Sequence, residues 1–374
     1  MIDIIQPNDD LLGHQTSRPM SQPAEADRGG AIFTERFWYM GTTVPDGAIV
    51  FGAGLGYYPN RGIMDGYAGI TVEGVQYCFR ASRHTNLAPL STEIGALRIS
   101  VNEGLKDHRI ELGQNESGLS MDLNYQACLP PNDEGREILE RPEGIVSDVS
   151  RFVQFGRYDG WIEFRDRRWE FNAAQCWGAR DRSWGLRLEA RTDESHPPVT
   201  RFRALFFGWV CAQFGDRGVH FFLKETAPGK PRFFVGNETY ANGKAARAII
   251  AVEHELEWFD DHFSQHLKAG RLTLRFADGN QTVLKIRALP GRFYLKAGLY
   301  GGLDGWFQGD DRGQLHTAHD IWSHADVKTR RKLRTLAEQV VEFDDNGDIG
   351  YGTIQAGVSA GYPKYQEIQH LPAM

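Results

Sequence analysis

The chain has 374 residues and a formal net charge of -7 at neutral pH. That length suits two or three ordinary domains, or one large one. The mild acidity argues against a nucleic-acid partner, which is held mainly through basic surface. No apolar run reaches the ~20 residues that a membrane-spanning helix needs. The sequence carries 42 Gly, 22 Phe, 13 Tyr and 9 Trp, a composition suited to many short strands and tight turns.

Residues 1–30 are polar, with Pro7, Pro19, Pro23 and Gly29-Gly30. They read as a flexible arm outside the core. The opening residues lack the basic and apolar regions of a secretory signal, so a cytoplasmic location is expected. From Phe33 onward the pattern changes. Short runs rich in β-branched and aromatic residues cover 48–58, 67–80, 96–101, 108–112 and 120–127. Residues 161–164 and 169–171 flank Arg165-Asp166-Arg167-Arg168 as a hairpin. A loop through His196-Pro197-Pro198 marks the expected domain boundary. Beyond it, turns at 215–218, 277–280 and 344–346 each join two strand-like runs. Two helices are expected, at 325–338 and 148–155. The strand spacing fits a sandwich or barrel, and the two β-rich halves suggest duplication of one barrel-like unit.

Cys78, Cys128, Cys176 and Cys211 are too widely spaced for a structural zinc site and read as small core residues. Gly52-Ala53-Gly54-Leu55-Gly56 faintly suggests a phosphate loop, but Tyr57-Tyr58-Pro59 follows where a helix would have to start, so a glycine-kinked strand is expected. His316 and His319 lie three apart, which on a helix would place both imidazoles on one face. His262 and His266 suit a solvated turn. His220 and Glu225 are expected on solvated strand faces.

The densest segment is Gln175-Cys176-Trp177-Gly178-Ala179-Arg180-Asp181-Arg182-Ser183-Trp184-Gly185-Leu186-Arg187. It sets a carboxylate between two guanidinium groups and two indoles. In a strand, Arg180 and Arg182 face away from Asp181. Partners would keep Asp181 ionised, whereas an apolar pocket would raise its pKa and make it a proton donor. The plain alternative is an Arg–Asp network that seals a barrel end.

Gly178 to Gly185 resembles the Gly-x-x-Asp-His-x-Trp-Gly signature of the AttH-like and carotenoid 1,2-hydratase (hydroxyneurosporene synthase) family, with Arg182 in the histidine place. Fungal pericyclases of the Diels–Alderase type share its architecture. The resemblance implies an all-β fold of two lipocalin-like antiparallel barrels in tandem, here 31–195 and 196–374. It also implies that Asp181 is the group that gives a proton to an alkene.

The resulting expectation is a cofactor-independent lyase or isomerase. It would hydrate, dehydrate or cyclise a hydrophobic terpenoid-, steroid- or polyketide-like molecule in a barrel pocket. Asp181 would be the general acid/base, and Arg180, Arg182, Trp177, Trp184, Tyr57, Tyr58, Trp306, His316 and His319 would bind the ligand. The alternatives are a non-catalytic carrier of apolar ligands and a metal-dependent enzyme using His316 and His319.

Overall fold

A computed structural model describes residues 5–13, 31–85, 88, 90–141, 144–188, 205–260, 264–333 and 336–371. The first half supplies twelve strands: β1 (Ala31–Thr43), β2 (Ile49–Tyr58), β3 (Ile63–Val72), β4 (Val75–His84), β5 (Glu93–Ile94), β6 (Leu97–Glu103), β7 (Asp107–Leu112), β8 (Leu119–Ala127), β9 (Asn132–Arg141), β10 (Gly144–Phe164), β11 (Arg167–Phe171) and β12 (Cys176–Leu188). The second half supplies β13 (Phe206–Gln213), β14 (Arg217–Ala227), β15 (Lys230–Tyr240), β16 (Arg247–Trp258), β17 (Leu267–Phe276), β18 (Gln281–Tyr294), β19 (Leu315–Ser323), β20 (Ala337–Asp345) and β21 (Asp348–Val358).

Strands β13–β18, β20 and β21 close into an eight-stranded antiparallel barrel. The remaining thirteen form one sheet in the order β19-β4-β3-β2-β1-β12-β10-β8-β7-β6-β5, with β9 and β11 also on β10. This sheet folds over on itself. Tyr77 of β4 packs on Phe164 of β10 with ring centroids 4.2 Å apart. The fold is thus all-β with two barrel-like units in tandem. Strand β19 crosses between them: it follows β18 in the chain, yet pairs with β4. The expected boundary near residue 195 lies outside the described residues.

Three large cores, among the described residues, follow from the strand patterns. One fills the folded sheet, around Tyr39, Phe51, Leu123 and Tyr158. A second fills the closed barrel, around Phe221, Leu272, Leu284 and Phe343. The third lies between the units and is built from Trp38, Phe155, Trp209, Phe222 and Phe293. Strands at that junction are buried on both faces and lose the simple alternation of a half-exposed strand.

That loss explains both misplaced helices. Residues 148–155 lie in the middle of β10, paired with β12 on one side and β9 on the other. Val149, Phe152, Val153 and Phe155 are all buried there, a spacing that imitates a helix. In 325–338 only Val327–Lys332 is helical, started by Asp326, whose side chain accepts from Thr329 N. Ala337 onward pairs with β18 instead. The run 67–80 is also two strands, turned at Glu73-Gly74, where both residues have positive φ (53° and 71°). The four anticipated hairpins form, with turns at 165–166, 214–216, 277–280 and 346–347.

Within the segment read as a polar arm, Pro7–Asp10 forms a 3-10 turn, with Asp9 and Asp10 fully buried. The four cysteines are free thiols, three of them buried. Among the described residues no helix is long and apolar enough to cross a membrane.

Candidate functional site

Strand β12 runs between β1 and β10, with Asp181 opposite Trp38 on one side and Val153 on the other. Strand alternation then sorts its side chains into two sets. Asp181, Ser183 and Arg187 face the junction between the units and line a cavity of about 210 Å³. Arg180, Arg182 and Trp184 face the opposite way and are fully buried.

The cavity walls come from both units. Arg36 and Trp38 (β1), Arg151 (β10), and Asp181, Ser183 and Arg187 (β12) form one side. Phe207 and Trp209 (β13), Phe222 and Lys224 (β14) and Gln355 (β21) form the other, with Leu295, Tyr300 and Leu336. The pocket therefore lies between the barrels, whose own interiors are packed with side chains. Trp38 and Trp209 meet edge to face at 5.2 Å.

Ser183 Oγ donates to Asp181 Oδ1 at 3.2 Å. Burial pushes the Asp181 carboxyl up to about 6, and the Glu134 carboxylate adds to the rise; Arg187, Arg151 and Ser183 oppose it. Asp181 keeps some accessible surface only because it faces the cavity.

Behind the wall sits an ionic layer. Burial alone would raise Glu134, but His220, Arg151 and Trp209 together hold it below the usual glutamate range. Trp209 Nε1 donates to it at 2.8 Å, His220 Nε2 lies 3.0 Å away and Arg151 Nε 2.9 Å. Lys224 Nζ donates to both Glu137 oxygens at 2.6 and 2.8 Å. Desolvation nevertheless lowers Lys224 to about 8. Glu338, beside the cavity residue Gln355, is pushed up to about 8 by burial. Arg187 is lowered by burial and by the neighbouring Arg36 and Arg151 cations, but a guanidinium stays charged at neutral pH.

The other anticipated site residues go elsewhere. Arg180 pairs with Asp10 at 2.5 and 2.8 Å, and Arg182 with Glu35 at 2.8 Å, both sealed inside the folded sheet. Trp184 packs beside Phe152 in the same interior. Tyr57 belongs to the core of the folded sheet. Tyr58 lines a separate void of about 20 Å³ with Arg36, Asp65, Tyr67 and Tyr300. Trp177 stays at the junction but packs on Tyr351 and Arg157, away from Asp181. Trp306 packs against His316 and lines neither space.

His316 and His319 lie on β19, where an odd separation puts them on opposite faces, both exposed. The shared helical face that would make them a ligand pair is therefore absent. Among the described residues no three His, Cys, Asp or Glu side chains are grouped to hold a metal ion. His262 lies outside the described residues, and His266 is buried near Tyr294. His220 and Glu225, expected on solvated faces, are both buried, because β14 has the junction on one side and the barrel core on the other. Glu225 accepts from His254 Nε2 at 2.8 Å inside the barrel. The glycine run 52–56 is strand β2, as expected.

The sequence model of a family of unknown function, DUF8625, matches residues 5–361. This chain belongs to that family. No curated protein matches it. Among solved structures, an AttH-like protein from Nitrosomonas europaea aligns with a TM-score of 0.54 at 11% identity, over 92% of this chain and 97% of that one. Kievitone hydratase from Nectria haematococca aligns at 0.49 and 13% identity, over 87% and 89%. CghA aligns at 0.45 and 11%, over 89% and 90%. The first likeness establishes the fold: this DUF8625 member has the AttH-like, lipocalin-type architecture that the segment at 178–185 resembles.

The two glycines of that segment have clear structural reasons. A Cβ on Gly178 would sit 1.9 Å from the Met40 carbonyl oxygen. Gly185 has φ 127°, a backbone region that other residues rarely enter. Sequence reasoning missed Arg36, Trp38, Arg151, Trp209, Phe222 and Tyr300, which lie far from Asp181 in the chain. It also passed over Arg187, whose even spacing from Asp181 was visible.

Proposed function

We propose that this protein is a cofactor-independent lyase or isomerase that adds or removes water, or closes a ring, across a C=C bond of a small, largely apolar molecule. Asp181 is its general acid/base. The observation that carries this reading is a carboxyl group facing a cavity walled by Trp38, Trp209 and Phe222, where burial pushes it up to about 6. Asp181 in its acid form delivers a proton to one alkene carbon. Water, or a hydroxyl of the substrate, adds to the other carbon and returns its proton to the Asp181 carboxylate. The proton count closes without a redox partner, and a pKa near the working pH makes both halves of the cycle accessible.

The cavity volume of about 210 Å³ is below the ~300–1,000 Å³ of common ligand clefts. A single ring with a short chain suits it better than a whole steroid. The deciding experiment compares wild type with Asp181→Asn against a panel of small conjugated alkenes. The amide keeps the shape and the Ser183 contact but has no acid proton. Turnover falls by ~10²–10⁴-fold with folding intact; full activity in the variant removes the proposed role and leaves a ligand carrier.

A further inference from the structure

Four cationic side chains line the cavity with Asp181: Arg36, Arg151, Arg187 and Lys224. Two of them are neutralised by the ionic layer behind the wall. Arg151 lies 2.9 Å from Glu134 and also pairs with Glu137, and Lys224 is bound to both oxygens of Glu137. The other two hydrogen-bond only to neutral groups and feel the Asp181 carboxylate across the cavity without touching it. Arg36 Nη2 donates to Gln308 Oε1 at 2.8 Å, and its guanidinium lies 5.7 Å from the Tyr300 ring centre. Arg187 Nε donates to Thr34 Oγ1 at 3.0 Å. Among the described residues neither closes an ion pair with a carboxylate, Asp181 included.

Both are half-buried; charge drawn out of water without a contact ion pair is costly, and arginine does not escape the cost by losing its proton. The Nε of Arg36 is also buried without a hydrogen-bond partner. An arrangement of this kind suits an anion that is absent until the ligand enters. We propose that the substrate carries a carboxylate conjugated to its C=C bond, with the anionic oxygens held by Arg36 and Arg187 while its apolar body rests on Trp38, Trp209 and Phe222. This rests on the reading of the Asp181 cavity as a substrate site and names the class of molecule it takes. It also fixes the polarity of the chemistry. A carbocation beside two unpaired guanidinium groups is repelled, whereas negative charge growing on a carbonyl oxygen is stabilised. The C=C bond is therefore conjugated to that oxygen. Asp181 gives its proton to the carbon next to the carbonyl, and water adds one carbon further on.

Cinnamate and cinnamamide probe this directly, because they share one shape and differ in head-group charge. Calorimetry on the full chain is expected to show cinnamate binding at least ten-fold tighter than the amide. Arg187→Gln and Arg36→Gln bring the acid down to the affinity of the amide and leave the amide unchanged. Asp181→Asn removes the carboxylate that, among the described residues, lines the cavity, and tightens cinnamate several-fold. That third variant keeps both arginines, so it decides the matter even where the arginine variants do not fold. Equal affinities in wild type, no binding of either probe, or cinnamate binding that Asp181→Asn leaves unchanged or weakens overturns the proposal. These are binding measurements, so they separate from the catalytic reading. Anion preference with full turnover in Asp181→Asn refutes the acid/base role alone, and equal affinities with lost turnover refute the oxyanion site alone.

Discussion

Arg180 and Asp181 are adjacent in the chain and face opposite chambers. Both terminal nitrogens of Arg180 donate to Asp10, inside the folded sheet. Asp181 instead meets the cavity, with the Ser183 hydroxyl 3.2 Å away. A single strand thus separates a sealed ion pair from a carboxyl group left free to exchange its proton. The guanidinium flanking Asp181 in sequence is spent on Asp10 and does not pin the acid in its ionised form.

The Asp10 pair is expected to matter for stability rather than chemistry. Burial raises the Asp10 carboxyl, but Arg180 and His108 overcome it and hold the group far below the usual range. Asp10→Asn leaves the fully buried Arg180 with no counter-ion, and breaking such a pair costs about 3–5 kcal/mol. Urea unfolding of the variant gives that number. Loss of turnover at unchanged stability would instead place Asp10 in the reaction.

The sequence carried the β class, the four hairpins and the segment around Asp181, because turns and alternating runs are local signals. It also carried the facing of Arg180 against Asp181, which needs only a period of two. The location of the cavity was not legible. Trp38, Trp209 and Tyr300 reach Asp181 only through the packing of one barrel on the other, and no spacing in the chain encodes that contact. The helix expected at 148–155 failed for the same reason: a strand buried on both faces carries no alternation to read. The expected ligand role of Arg182 failed because Glu35, on the neighbouring strand, takes its charge.

Activity is expected to follow the protonation of Asp181. Its carboxyl is raised to about 6, first by burial and then by Glu134. The acid form starts the reaction, so the rate falls as pH rises through about 6. Glu134→Gln removes the carboxylate that helps hold this value up, and the alkaline limb moves to lower pH. A pH–rate profile of both proteins measures the shift. A limb that stays in place assigns it to another group.

Phe222 supports the cavity from the barrel side, and the Arg151 guanidinium lies 4.7 Å from its ring centre. Phe222→Ala removes a buried ring, at a cost of about 3 kcal/mol, the low end for such a change because one face already borders empty space. The same substitution enlarges the pocket. Thermal unfolding tests the cost, and competition between cinnamate and a naphthyl analogue tests the pocket. An unchanged size preference would remove Phe222 from the binding wall.

Glu338 gives the clearest pH signature in stability. Burial pushes its carboxyl up to about 8, while Thr353 and Gln355 only partly offset that and Asp181 adds to the rise. The unfolded chain releases this proton near 4.5, the ordinary glutamate value. Between about 4.5 and 8 the folded state therefore holds more protons than the unfolded one. Stability falls with rising pH across that window and levels off above it. At pH 8 the group opposes folding, because the fold must either keep a proton the unfolded chain has lost or bury a bare carboxylate. Glu338→Gln keeps the shape without the charge. It is expected to flatten this part of the profile and to stabilise the protein at pH 8 by on the order of 1–3 kcal/mol. Guanidinium unfolding at pH 5 and pH 8 measures both effects, and parallel profiles for the two proteins would show that Glu338 is ionised in the fold after all.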